Sequence, residues 1–227
     1  MSTAALRALL SDCDGVIVDS EVVADRAMRE VLAGAFGGVD VEPALAGLFG
    51  RRVIDIIRRV EQRLERPLTD EHRAALQRDI DARVACLAPA MPGVCEAYAG
   101  IGLPLAIVSN SAFDRLHRSV EASGLLPLAG RHVYAAEDVG RPKPAPDAYL
   151  HAARQLGVPP AGCLVVEDSA TGVLAARAAG MAVLGFLGGS HVDADHGRWL
   201  TEAGALGLFE RMEQLPALVR DWPALAA

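Results

Sequence analysis

Short apolar runs alternate along this chain with stretches of helical spacing, and most of those runs end on polar residues. Ala8-Leu9-Leu10 leads into Ser11-Asp12, and Leu105-Ala106-Ile107-Val108 into Ser109-Asn110. Leu164-Val165-Val166 leads into Glu167-Asp168, and Met181-Ala182-Val183-Leu184 into Gly185-Phe186. Runs this short, bounded by turn residues, read as strands buried on both faces. Between them, residues 112–123, 146–156 and 171–179 have helical spacing and stop at Gly124, Gly157 and Gly180. Glycine suits the left-handed position just past a helix end. Strand-helix alternation of this kind builds a parallel sheet with helices on both faces. The expected fold is α/β, a Rossmann-like doubly wound parallel sheet.

One segment interrupts the alternation. Residues 20–89 show helical patterns and no strand. Val53, Ile57, Val60 and Leu64 share one helical face, and Leu76, Ile80, Val84 and Leu87 share another. Thr69-Asp70-Glu71 reads as a helix start. Some 70 residues of helix far exceed what a crossover needs. The reading is an inserted α-helical cap domain over 20–89, with 1–19 and 90–227 forming the catalytic core.

Composition narrows the partners. Apolar residues make up 52% of the 227 and charged residues 22%, a globular balance that excludes disordered and fibrous classes. Aromatics are only 4%, so aliphatic side chains must build the core. Lys and Arg number 22 against 29 Asp and Glu, a formal charge of −7, which argues against nucleic acid as a partner. Cys13, Cys86, Cys95 and Cys163 form no CxxC pair, so neither a zinc site nor a redox motif is expected. Free thiols point to a cytoplasmic protein. Residues 1–10 carry Arg7 and no long apolar run, so no signal peptide is expected. The apolar stretch at 178–192 is too short for a membrane span.

In a doubly wound sheet the C-terminal strand ends meet at one crevice, where ligands bind. Asp12, Ser109 and Asp168 should therefore come together there. With Asp14 and Glu167 the crevice would hold up to four carboxylates, which repel one another unless a cation sits among them. Oxygen ligands with open positions suit Mg²⁺. Pro142 and Pro144 bracket Lys143 and limit where its ammonium reaches. That positive charge is what a phosphoryl group and an attacking carboxylate both need.

Asp12-Cys13-Asp14-Gly15-Val16, Ser109-Asn110, Lys143-Pro144 and Glu167-Asp168-Ser169 resemble, in order, the four motifs of the haloacid dehalogenase-like hydrolase superfamily. The run from Asp168 through Gly172 to Met181 is similar to its phosphatase and β-phosphoglucomutase branch, and the helical insert lies where that branch carries a cap. Residues 12–21 look especially like phosphogluconate phosphatase-like members. Ser11 departs from the aromatic common at that position, which touches packing rather than chemistry.

The resemblance implies roles by position. Asp12 is the nucleophile that forms an aspartyl-phosphate. Asp14 protonates the leaving oxygen and then activates water, a proton-bearing role that its like-charged neighbours would favour by raising its pKa. Asp12, the Asp14 backbone carbonyl and Asp168 hold Mg²⁺, with Glu167 beside or behind them. Ser109, the Asn110 backbone and Lys143 bind phosphoryl oxygens. Arg51 or Arg52 could reach an anionic substrate end, and Glu21 and Asp25 could meet substrate hydroxyls. His191 reads as a loop or rim residue, and Trp199 and Trp222 as packing residues.

The expected activity is Mg²⁺-dependent hydrolysis of a small phosphorylated metabolite, such as a sugar, sugar-acid or polyol phosphate, by a monomer without nucleic-acid or membrane partners. Two alternatives remain. One is a phosphosugar mutase, whose characteristic histidine ten positions after Asp14 is replaced here by Ala24. The other is a non-catalytic binding protein on the same fold.

Overall fold

A computed structural model describes residues 5–48 and 53–222. The chain divides into two compact units, residues 1–19 with 89–227, and residues 20–88. Pro89 thus falls with the first unit, one residue earlier than the exit read from the sequence. The chain crosses between the units on two paired segments of the first. Asp19 N–H donates to the Pro89 carbonyl at 2.9 Å, and Val18 bridges Ala90 in antiparallel fashion.

The first unit begins with β1 (Ala8–Ser11), every residue of which is buried. The helical insert, α1 (Glu21–Ala35), α2 (Glu42–Leu45), α3 (Val53–Leu64) and α4 (Asp70–Leu87), follows. The chain then returns through α5 (Val94–Ile101), β2 (Leu105–Ser109), α6 (Phe113–Ala122), α7 (Leu126–Ala129) and β3 (Val133–Ala135). Next come α8 (Ala136–Val139), α9 (Asp147–Leu156), β4 (Cys163–Glu167), α10 (Ala170–Ala178) and β5 (Ala182–Phe186). The last elements are α11 (His196–Ala203), β6 (Gly207–Phe209) and α12 (Leu215–Arg220).

The six strands form one parallel sheet in the order β3-β2-β1-β4-β5-β6. β1 is central because it must be apolar all round, with Leu10 opposite Ala106 on β2 and Val165 on β4. The chain order reverses between β1 and β4, so the C-terminal ends of β1, β2 and β4 lie side by side at the switch point. The expected α/β doubly wound fold is the observed one. β3 and β6 were not anticipated. Each is three residues long at a sheet edge, too short for periodicity to register.

The core of this unit joins Ala8 and Leu10 of β1 to Ala106 and Val108 of β2, Val165 of β4, and the small residues Ala148, Ala152 and Ala176 of α9 and α10. Small residues let these helices lie close on the sheet. The cysteines are free, and burial pushes the Cys163 thiol up to about 11. Trp222 is buried as expected, whereas Trp199 is 44% exposed, with its ring beside His196.

Among its described residues the second unit has helices and no strand, with its own core of Met28, Leu32, Leu45, Ile57, Ile80 and Val84. Thr69 caps α4 by accepting from the His72 N–H at 3.2 Å. Leu87 departs from its assigned face. It is 66% exposed, although Val84 and Ala85 in the same turn are buried. Among the described residues no helix is long and apolar enough to cross a membrane.

Ile80→Ala should therefore cost about 2–5 kcal/mol, whereas Leu87→Ala should stay within about 0.5 kcal/mol. Urea unfolding of both variants measures the difference, and equal losses would mean that the face is misassigned.

Candidate active site

β1 delivers Asp12 to the switch point, and the Asp12 N–H donates to the Val166 carbonyl of β4 at 3.0 Å. β4 delivers Glu167 and Asp168. Asp12, Glu167 and Asp168 are all buried, and one carboxylate oxygen of each lies within 4.8 Å of the others. Lys143 enters from the loop before α9, on the cis Lys143–Pro144 peptide. Its ammonium is buried and donates to Asp12 Oδ1 at 2.6 Å, Glu167 Oε1 at 2.6 Å and the Val108 carbonyl at 2.9 Å. Three N–H groups meet three acceptors, which is all that an ammonium can offer.

Glu167 is fully buried and fully engaged. Oε1 also accepts from the Tyr149 hydroxyl at 2.7 Å, and Oε2 accepts from the Ser169 N–H at 3.2 Å and hydroxyl at 2.9 Å. Ser169 also caps α10, accepting from the Gly172 N–H. Gly172 has ordinary helical backbone, but a Cβ there would collide with the Glu167 carboxylate. The spacing Ser169-x-x-Gly172 thus couples a helix cap to room for a buried charge.

Asn110 reaches this cluster through Lys143. Its side-chain amide donates to the Lys143 carbonyl at 3.2 Å, and its side-chain oxygen accepts from the Lys143 N–H at 2.9 Å. Sequence reasoning assigned Asn110 through its backbone alone; the structure adds a clamp on the lysine's main chain.

Asp14 departs from expectation. Its carboxylate was expected among like charges, but it turns toward the end of β2 instead. It accepts from Ser111 Oγ at 2.6 Å and Ser109 Oγ at 3.3 Å, and pairs with the Arg115 guanidinium at 2.5 Å. The cause is the tight turn after Asp12. Ile17 N–H and Val18 N–H both return to the Cys13 carbonyl, and Gly15 takes φ +77°. A side chain on Gly15 would be strained at that φ and would strike the Asp168 carboxylate.

Arg115 was missed. It lies buried in the first turn of α6, where the helix dipole disfavours a cation, and its anionic partner is Asp14, 101 positions away, a contact that local sequence does not record. His191 was read as a rim residue, but its Nε2 lies 3.2 Å from Asp168 Oδ2. Ser11 behaves as a packing residue, its hydroxyl 2.7 Å from Tyr98 Oη and donating to the Asp12 carbonyl at 2.6 Å. Asp25 pairs with Arg29 at 2.9 Å. Arg51 and Arg52 lie outside the described residues.

The electrostatics show a shortage of positive charge. Burial pushes the Asp12 carboxyl well above the usual range, Lys143 opposes that, and Glu167 and Asp168 add to it. Burial also raises the Asp168 carboxyl, against the hydrogen bond from His191. Lys143 stays charged because Asp12 and Glu167 outweigh the desolvation that opposes it. An oxygen-rich, buried, under-compensated cluster fits a hard divalent cation.

A model of the haloacid dehalogenase-like hydrolases matches residues 6–180. The chain belongs to that family. A haloacid dehalogenase-like protein of unknown function from Agrobacterium tumefaciens is 37% identical, with a TM-score of 0.79 over 98% of this chain and 100% of that one. The fructose-1-phosphate phosphatase of Escherichia coli is 35% identical over 183 residues, covering 76% of this chain and 92% of the relative. The 6-phosphogluconate phosphatase of the same organism is 29% identical over 231 residues, covering 97% and 99%. The two Escherichia coli phosphatases fit the branch that the motifs resemble.

The Asp14–Arg115 pair makes a separable prediction. Asp14→Ala and Arg115→Ala should each destabilise the chain, and a double-mutant cycle in urea should give a coupling of roughly 1–3 kcal/mol. Additivity within about 0.5 kcal/mol would mean that the two side chains do not support each other.

Proposed function

We propose that the chain is a phosphoric monoester hydrolase acting on a small phosphorylated metabolite, of the sugar, sugar-acid or polyol phosphate class, with Mg²⁺ and an aspartyl-phosphate intermediate. The observation that carries this reading is the buried Lys143 ammonium lying between Asp12 and Glu167, with Asp168 alongside. The names of the two Escherichia coli relatives support the substrate class.

In this reading Asp12, Asp168 and the Asp14 carbonyl hold the cation. Glu167 stands behind them, because its oxygens already serve Lys143, Tyr149 and Ser169. The chemistry supplied by bound Mg²⁺ is charge: it offsets repulsion between a carboxylate and a phosphate dianion and stabilises the equatorial oxygens. Asp12 attacks phosphorus as the carboxylate, and the P–O bond to the alcohol breaks. Asp14 gives its proton to the departing oxygen, becoming a carboxylate. It then takes a proton from the water that attacks the aspartyl-phosphate, so phosphate leaves and both residues return to their starting forms. Ser109, the Asn110 backbone and Lys143 bind phosphoryl oxygens. Arg115 and Ser111 hold the Asp14 carboxylate in the interval between its two proton transfers. Residues 20–88 take the part of the cap.

Release of inorganic phosphate from p-nitrophenyl phosphate, and then from a panel of sugar, sugar-acid and polyol phosphates, tests this. Turnover should require Mg²⁺. Asp12→Asn should fall to background, and Asp14→Asn should lose roughly 10²–10⁴-fold. At about 100 times its Kd, Mg²⁺ should add about 2.7 kcal/mol of stability, a Tm rise of roughly 5–10 °C at this length. Asp168→Asn should abolish that rise. Wild-type turnover by Asp12→Asn would end the nucleophile assignment, and conversion of a hexose 1-phosphate to its isomer without free phosphate would favour a mutase.

A further inference from the structure

The loop after β5, Gly188-Gly189-Ser190-His191, is built around its last residue. His191 Nε2 donates to Asp168 Oδ2 at 3.2 Å, and its side chain is 22% exposed. Two positions that lack a Cβ seat the ring. A Cβ on Gly15 would come within 3.1 Å of His191 Cε1, and one on Gly189 within 2.7 Å of both Cε1 and Nδ1. Gly189 has no left-handed φ, so conformation does not demand glycine there; the imidazole does.

The ring also has an aromatic neighbour. His196 meets it edge to face with centroids 5.2 Å apart, and His196 Nε2 donates to the Asp168 carbonyl at 2.5 Å. Asp168 is therefore gripped at both its carboxylate and its backbone. The loop itself is tethered, because the Ser190 N–H and hydroxyl both donate to Asp19 Oδ1, at 3.2 and 2.8 Å. A histidine on one carboxylate oxygen restrains rotation of the group and leaves the second oxygen for an ion. Such support from behind a metal ligand sets affinity.

We propose that His191 is a positioning residue that holds the Asp168 carboxylate in the orientation from which it takes the divalent cation, and that Gly15 and Gly189 are glycines to seat its ring. This rests on the metal-site reading above. His191 touches neither substrate nor the reacting atoms in this role. Gly189 is its structural counterpart, since an alanine there displaces the ring without altering any ligand.

The test is Mn²⁺ binding to the whole chain, read from the electron paramagnetic resonance signal of the free ion, with Mg²⁺ competition supplying the second affinity. His191→Ala should weaken both by roughly 10- to 100-fold, and His191→Gln, which keeps an N–H donor, should recover part of the loss. Gly189→Ala should weaken binding to a similar extent in the wild-type background and add nothing in the His191→Ala background. Wild-type affinity in His191→Ala, tighter binding in that variant, or an equal Gly189→Ala effect in both backgrounds would each overturn the proposal. Absence of Mn²⁺ binding by the wild-type chain would instead overturn the metal site, and this inference with it.

Discussion

The Lys143 ammonium is the charge on which the site depends. It is buried, and each of its three N–H groups has one acceptor, drawn from the loop after β1, from β2 and from β4. No neighbouring strand pair alone could place those acceptors. Asn110 clamps the lysine's backbone, and the Tyr149 ring lies 4.7 Å from its nitrogen. The cluster therefore draws on the central strands of the sheet at once. Breaking one partner of such a buried set leaves an uncompensated charge, which is far costlier than never having buried it.

One ammonium does not balance three buried carboxylates. The consequence is visible in Asp12 and Asp168, whose carboxyl groups are both pushed up, burial being the largest cause and Glu167 a contributing one. Glu167 is surrounded by donors from Lys143, Tyr149 and Ser169. The three carboxylates thus divide by environment: one is saturated by the protein, and two are left in want of positive charge. Missing Cβ atoms make this density of charge possible. Gly172 admits the Glu167 carboxylate, and Gly15 admits that of Asp168.

Much of this was legible in the sequence, for a physical reason. Central parallel strands must be apolar on both faces, so β1, β2, β4 and β5 announce themselves as unbroken runs, and the polar residue at the end of a run marks the crevice. Asp12, Ser109, Glu167 and Asp168 lie at those ends, and Lys143 is marked by its flanking prolines. The edge strands β3 and β6 are three residues each and carry no pattern of their own. His191 and Arg115 act through contacts with residues 23 or more positions away, and no local spacing records such a contact. Leu87 follows the helical period, yet it is exposed while Val84 and Ala85 of the same turn are buried, a difference that period alone does not carry.

Asp12 and Asp14 show most clearly what the backbone adds to a motif. Two positions apart on a continuing strand, their side chains would share one face and compete for the same counter-charge. β1 ends at Ser11, and the turn from Cys13 to Val18 carries Asp14 toward β2 while Asp12 stays against β4. Asp12 then lies against Lys143, which it shares with Glu167, and Asp14 lies against Arg115. In the proposed reaction one of the two aspartates attacks as an anion and the other gives and takes a proton, and such roles need different surroundings. The turn at Gly15 supplies that separation within three residues of chain.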